Sequence, residues 1–246
     1  MLPSSGDVAV VIPALNESDR IGATVKGAVS LPGVDIVVVV DDGSGDGTAA
    51  AAEAAGATVV RHARNRGKAA AMETGAESVR LLEAAGPGAG GVPRHLLFLD
   101  ADLAETAARA APLIEPVRSG EADMTIAVFR DRVRQGGHGF VVRLAGSGID
   151  RATGWRPAQP LNGQRCLTRA AFAAACPLAP GFGAETGLTI DVRRAGLRVA
   201  EVEVPLAHRA TGTDWRSQLH RARQFADVAR ALAARSARAR PRRRSL

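Results

Sequence analysis

The sequence predicts an α/β fold with a mostly parallel central sheet flanked by helices, on three observations. Apolar runs of strand length alternate with Ala-rich stretches of helix length, the pattern of repeated strand–helix–strand units. The apolar runs are short and rich in valine, as strands covered on both faces require. At 246 residues and 46% hydrophobic content, the chain can bury one sizeable core.

Taken in order, Val8 to Ile12 reads as the first strand, stopped by Pro13, which has no N–H to donate. Ser18 to Ser30 reads as a helix, and Asp35 to Val40, nearly all valine, as a strand buried on both faces. Thr48 to Ala55 is predicted helical, Thr58 to Arg61 extended and Lys68 to Ala85 helical. A Gly/Pro loop, Gly86 to Pro93, leads into the strand His95 to Leu99. Helix is expected from Glu105 to Ser119, strand from Met124 to Val128, and a mobile, charged, glycine-rich loop from Arg130 to Gly139. Val141 to Ala152 reads as helix, Leu161 to Leu167 as extended, and Ala184 to Ala195 as a helix stopped by Gly196. Arg198 to Val204 alternates like a half-buried strand, and Asp214 to Arg235 is a long final helix. No internal repeat is present. The expected organisation is one domain over 1–235 and a basic, disordered tail over 236–246.

The net charge of +7 raises the question of a nucleic-acid partner until it is located. From Arg230 onward there are seven arginines and no acid, which leaves 25 basic against 25 acidic side chains in the rest. The body is neutral, which argues against nucleic acid as its partner; the tail could touch an anionic membrane surface or a nucleic acid. Apolar stretches such as Ile36 to Val40 fall far below the roughly 18 residues of a membrane-spanning helix. The start lacks the basic residues and apolar stretch of a secretory signal, so a cytoplasmic location is expected. Two cysteines, Cys166 and Cys176, form no CxxC pair and read as buried thiols.

The polar signals fall where strands end, the edge at which parallel sheets bind ligands. After the first strand comes ProAlaLeuAsnGlu, Pro13 to Glu17; after the second, AspAspGlySerGlyAspGlyThr, Asp41 to Thr48. Gly43, Gly45 and Gly47 do not make a dinucleotide-binding loop, because the last interval is one residue short of GxGxxG. AspAlaAsp, Asp100 to Asp102, follows LeuLeuPheLeu directly, and two carboxylates so spaced at a strand end can reach one hard divalent cation that bridges a diphosphate. Lys68, one of only two lysines beside thirty arginines, sits at a loop-to-helix junction suited to an anion. Glu185 opens a helix, and His208 follows the last strand within AlaHisArg.

In this order the segments resemble a family-2 glycosyltransferase of the GT-A type, from about Val8 to Arg230. ValIleProAlaLeuAsnGlu, ValValAspAspGlySerGlyAspGlyThr and LeuAspAlaAsp together carry the resemblance. GlyPheGlyAlaGluThrGlyLeuThrIleAsp with AlaHisArg is similar to glucosyl-3-phosphoglycerate synthases; ProLeuAlaHisArgAlaThrGly is similar to polyprenyl-phosphate mannosyl- and glucosyltransferases. The resemblance implies a single GT-A-like domain that moves a hexose from a UDP- or GDP-sugar, with Mg2+ or Mn2+, to a polyprenyl phosphate or a small phosphorylated metabolite. It places Pro13, Ala14, Leu15 and Glu17 along the nucleotide and Asp42 as an acceptor from the base. Lys68 would face the diphosphate. Asp100 and Asp102 would hold the cation, with Ala101 between them in the nucleotide-sugar site and His208 as a further ligand. Arg209 would neutralise phosphate charge, and Glu185 would approach the sugar or the acceptor hydroxyl, so that Glu185 and Asp102 are the catalytic candidates. Where the phosphoglycerate-type enzymes carry an arginine after a triple glycine, this chain has GlyGlyHisGlyPhe, Gly136 to Phe140.

Three rival readings remain at this point. A sugar-1-phosphate nucleotidyltransferase would need a Gly-rich GxGxR-type loop where Pro13 to Glu17 stands. A nucleic-acid binder would work through the tail alone. A non-catalytic nucleotide-sugar-binding relative would have no use for Asp100, Asp102 and His208 together.

Overall fold

The computed structural model describes residues 7–86, 90–129, 139–206 and 215–238, with only the backbone of 215–223 and 237–238. Seven strands form one sheet in the order β3-β2-β1-β4-β6-β5-β7. They are β1 (Val8–Ala14), β2 (Val34–Asp41), β3 (Thr58–Arg61), β4 (His95–Phe98), β5 (Met124–Phe129), β6 (Arg165–Leu167) and β7 (Val199–Val204). All pair in parallel except β6, which runs antiparallel between β4 and β5. The carboxyl ends of β1, β2, β4, β5 and β7 therefore share one edge with the start of β6.

The helices are α1 (Ser18–Val29), α2 (Thr48–Ala54), α3 (Lys68–Ala85), α4 (Glu115–Arg118), α5 (Gly139–Thr153), α6 (Arg169–Ala175), α7 (Ala184–Arg194) and α8 (Trp215–Arg238). Because side chains alternate along a strand, the central strands feed two cores. Val8, Val10 and Ile12 of β1 with Val37 and Val39 of β2 pack against Ile21, Val25 and Ala28 of α1. Ala9 and Val11 with Val38 and Val40 pack against Ala71, Met72 and Val79 of α3 and Leu188 of α7. Among the described residues no helix is long and apolar enough to cross a membrane.

Most predicted elements are present within a residue or two of their expected ends, and the exceptions have local causes. β1 continues through Pro13, whose partner is Val40. β4 pairs with β1 only as far as Val11 and Phe98, with one more bond from Leu99 N to Val11 O, so the N–H that Pro13 lacks is not required on that side. The helix expected over Glu105 to Ser119 is instead a 3-10 helix, Ala104–Leu113, followed by the single turn of α4. Pro112 and Pro116 remove two donors from what would have been one α-helical ladder.

Only Arg165–Leu167 of the extended segment expected from Leu161 is strand; 160–164 turns back toward the sheet edge. Helix α6 was not expected. It is a short Ala-rich element capped by Thr168, whose hydroxyl accepts from Ala171 N. Helix α8 runs through 236–238, three residues into the stretch expected to be tail. Arg235, counted with the basic tail excess, is buried and ion-paired with Asp191 of α7. Cys166 is buried as expected, but Cys176 is exposed, because it lies just past the end of α6 beside Pro177 rather than in a core face. The loop expected from Arg130 lies, over 130–138, outside the described residues, as do 239–246.

Candidate active site

Four loops at the carboxyl edge are knitted together by hydrogen bonds from residues near in space and far apart in the chain. Asn16 sits in the left-handed region at φ 54. Its N–H donates to Ser44 Oγ at 2.9 Å and its side-chain oxygen accepts from Gly45 N at 2.9 Å. Glu17 N donates to Thr48 Oγ1 at 2.9 Å. The Thr48 hydroxyl and N–H both bond the Asp46 carboxylate and hold its pKa down at about 2. The segments after β1 and β2 thus form one surface, on which Leu15 stands 40% exposed, while Ala14 is buried in the core.

Asp41 and Asp42 are both buried. Asp41 accepts from Ser44 N at 2.9 Å and faces Arg61 at 3.1 Å. Asp42, expected to accept from a base, has both oxygens engaged within the protein. Oδ1 meets His62 Nδ1 at 2.7 Å and Arg66 N at 2.8 Å, and Oδ2 accepts from Gly67 N at 2.8 Å. Gly43, at φ 80, lets the turn approach so closely that a Cβ there would stand 2.7 Å from the Arg64 carbonyl carbon. The Asp42 carboxylate therefore holds the 64–67 loop, and that loop delivers Lys68 at the first position of α3.

Lys68 Nζ lies 2.6 Å from Asp100 Oδ1 and 2.9 Å from Glu185 Oε1. Burial pulls the pKa of this ammonium down, and the two carboxylates more than reverse the pull, leaving it above the ordinary lysine value. Gln164 Nε2 donates to the other Asp100 oxygen, Oδ2, at 2.8 Å. Glu185 is in the first turn of α7 and is buried. Asp102 and Ala101 follow on the turn after β4, which α1 secures. The Thr24 hydroxyl donates to Ala101 O at 2.8 Å and accepts from Ala104 N at 2.8 Å, and Arg20 reaches Asp102 O at 3.4 Å.

The structure thus brings Lys68, Asp100 and Glu185 into contact, with Ala101 and Asp102 on the adjoining turn. His208 and Arg209 lie outside the described residues; β7, which precedes them, ends on this same edge. Gly163, Gln164, Arg165, His62 and Thr24 were not singled out from the sequence. Asn162-Gly163 is a turn dipeptide, but nothing local says that this turn lies against Asp100.

The chemistry of the donor set fits a divalent cation. Asp100 and Asp102 offer hard carboxylate oxygens; the Lys68 ammonium and the Gln164 amide hold the two Asp100 oxygens, so a cation would have to take the place of one of them. Among the described residues no group of three or more His, Cys, Asp or Glu is placed to hold a metal ion.

The model of Glycosyl transferase family 2 matches residues 9–176. Glycosyltransferase AglJ of Haloferax volcanii is 29% identical over 217 residues, 87% of this chain and 67% of the relative. A glucosyl-3-phosphoglycerate synthase of Mycolicibacterium paratuberculosis is 30% identical over 215 residues, 80% of this chain and 64% of the relative. The chain therefore spans about two thirds of the length of these relatives. Glucosyl-3-phosphoglycerate synthase of Mycobacterium tuberculosis, solved with Mn2+, UDP and phosphoglyceric acid, superposes with a TM-score of 0.72 at 27% identity, covering 94% of this chain and 79% of that one. The same enzyme has also been solved with Mg2+ and UDP.

Proposed function

This chain belongs to glycosyl transferase family 2, and we propose that within that family it moves a hexose from a UDP-sugar to an oxygen of a phosphorylated acceptor. The observation that carries the reading is the contact of Lys68 with both Asp100 and Glu185. It joins the segment after β4 to the start of α7 through a cation, at the edge where Asp102 stands. A solved relative that holds UDP, Mn2+ and phosphoglyceric acid on the same fold supports the donor, the ion and the class of acceptor.

Transfer breaks the bond between the anomeric carbon and a diphosphate, so negative charge grows on the departing group. A bound Mg2+ or Mn2+, held by Asp100 and Asp102 with His208 as a further ligand, would supply positive charge there. Lys68 supplies a second, permanent positive charge beside it, on an ammonium whose position Asp100 and Glu185 define. Pro13, Ala14, Leu15 and Glu17 line the nucleotide, and Arg209 neutralises phosphate charge. Asp42 acts here by holding the loop that carries Lys68. Glu185 orients the acceptor hydroxyl toward the anomeric carbon and takes its proton at Oε2, the oxygen that Lys68 does not hold.

The reading takes 1–235 as the transferase domain, working in the cytoplasm. The basic stretch from 236, whose first three residues end α8, would meet an anionic surface when the acceptor is membrane-borne. The test is a thermal-shift screen of UDP-, GDP- and dTDP-sugars with and without Mn2+, since a ligand of the native state raises Tm by mass action. A rise with UDP-sugars that requires Mn2+ is expected. No rise with any donor in the presence of metal would overturn the proposal.

A further inference from the structure

Two side chains outside every motif hold the site from beneath. Arg165 is the first residue of β6 and is fully buried. Because β6 is antiparallel to both neighbours, its first residue lies at the carboxyl edge, directly below the site. The guanidinium donates from Nε to Asn162 O at 2.8 Å, from one terminal nitrogen to Glu185 O at 3.1 Å and Thr189 Oγ1 at 2.7 Å, and from the other to Pro160 O at 3.1 Å. These acceptors belong to two segments, the 160–162 turn and the first turns of α7. The planar fork of five N–H groups reaches four acceptors on the two segments at once, where an ammonium has only three N–H groups to offer.

The turn so anchored presses on Asp100. A Cβ on Gly163 would collide with Lys68 Nζ and stand 2.9 Å from Asp100 Oδ1, so any side chain there would displace the Lys68 ammonium and crowd Asp100. Gln164, itself fully buried, donates from Nε2 to Asp100 Oδ2 while Lys68 takes Oδ1. Its own N–H is tied to Asn162 Oδ1 at 3.0 Å. With a separate donor on each oxygen, the Asp100 carboxylate has one plane available to it.

We infer that Gln164 and Arg165 are positioning residues: Gln164 sets the plane of the Asp100 carboxylate, and Arg165 keeps the 160–164 turn and the Glu185 helix start in one register. The inference rests on the donor-site reading above, because it treats Asp100 and Glu185 as working groups.

The test uses the full chain carrying Gln164→Leu, Gln164→Glu or Arg165→Lys. Gln164→Leu removes the donor at similar size; Gln164→Glu keeps the shape and sets an acceptor against an acceptor. Mn2+ affinity in the presence of UDP, followed by loss of the free-ion EPR signal, is expected to fall about tenfold in both. Arg165→Lys is expected to raise the KM for UDP-glucose, and a parental KM in that variant overturns the role given to Arg165. A crystal structure of Gln164→Leu is expected to show the Asp100 carboxylate turned from its plane. Parental Mn2+ affinity in both Gln164 variants, or an unmoved Asp100 carboxylate in that crystal, overturns the inference. If the parent binds neither Mn2+ nor UDP, the proposed function falls, and the orientation of Asp100 in the Gln164→Leu crystal still decides this inference.

Discussion

Lys68 Nζ and Glu185 Oε1 lie 2.9 Å apart although they open two helices, α3 and α7, from opposite halves of the chain. The contact closes the site across the sheet edge, and Asp100 completes it from β4. Lys68→Met would leave two carboxylates facing each other across the vacated position. Leaving buried polar groups unpartnered costs on the order of 1–3 kcal/mol, so Tm measured without ligand should fall by several degrees for a chain of this size. Lys68→Arg should not restore donor turnover, because a guanidinium is too large for a position bounded by Gly163. Parental Tm and turnover in Lys68→Met would contradict this.

Asp102 is half-buried on the turn that Thr24 secures through its neighbours Ala101 and Ala104. Asp102→Ala should lower sugar transfer by about 100-fold or more, as loss of a charge-stabilising interaction of several kcal/mol requires. Its circular dichroism and Tm should match the parent, since the turn is held by backbone groups. Turnover at the parental rate would remove Asp102 from the catalytic set.

Asp42 distinguishes two roles by two measurements. If its carboxylate holds the 64–67 loop, Asp42→Ala strands the buried His62 ring, removes the acceptor of the Arg66 and Gly67 N–H groups, and should cost on the order of 1–3 kcal/mol. Affinities for uridine and guanosine diphosphates should then fall by similar factors. A change confined to one nucleotide, with parental stability, would restore the role of base acceptor.

The two thiols should react in separate steps. Burial pushes Cys166 up to about 12 within the sheet, whereas Cys176 is exposed and pushed up to about 11 by partial burial and Glu73. Thiolate is the reactive form, so a disulfide reagent at pH 8 should titrate one thiol slowly in the native protein and a second only after unfolding. Two fast thiols in the native state would contradict this placement.

Asp7 pairs with Arg118 through two bonds of 2.6 and 2.7 Å, and the Arg118 hydrogen bond holds its carboxyl below the ordinary 3.8. A carboxyl with a lowered folded-state pKa adds stability above the unfolded value, and that contribution disappears as pH falls through the folded value. Asp7→Asn should therefore cost up to about 1 kcal/mol at pH 7, as a half-exposed ion pair does. The difference from the parent should narrow below the ordinary carboxylate range. Urea titrations at pH 7 and pH 3 measure it; an equal difference at both would be the contrary result.

The sequence by itself determined the strands and most helices, because period and apolar run length are local properties of neighbouring residues. It also determined the polar segments of the site, since Asp41–Thr48 and Asp100–Asp102 each follow a strand whose end is legible. It misread Pro13 as a stop, because whether a missing N–H matters depends on where the neighbouring strand ends. It joined Glu105 to Ser119 because the helical period survives where the donors of Pro112 and Pro116 do not. Only the tertiary structure decided that Asp42 accepts from the 64–67 loop, that Lys68 reaches both Asp100 and Glu185, and that a buried Arg165 ties the 160–164 turn beneath them. Those contacts join residues on different elements through single hydrogen bonds a few ångströms long, and their existence depends on strand order and direction, above all on the reversal of β6, which leaves no trace in local spacing.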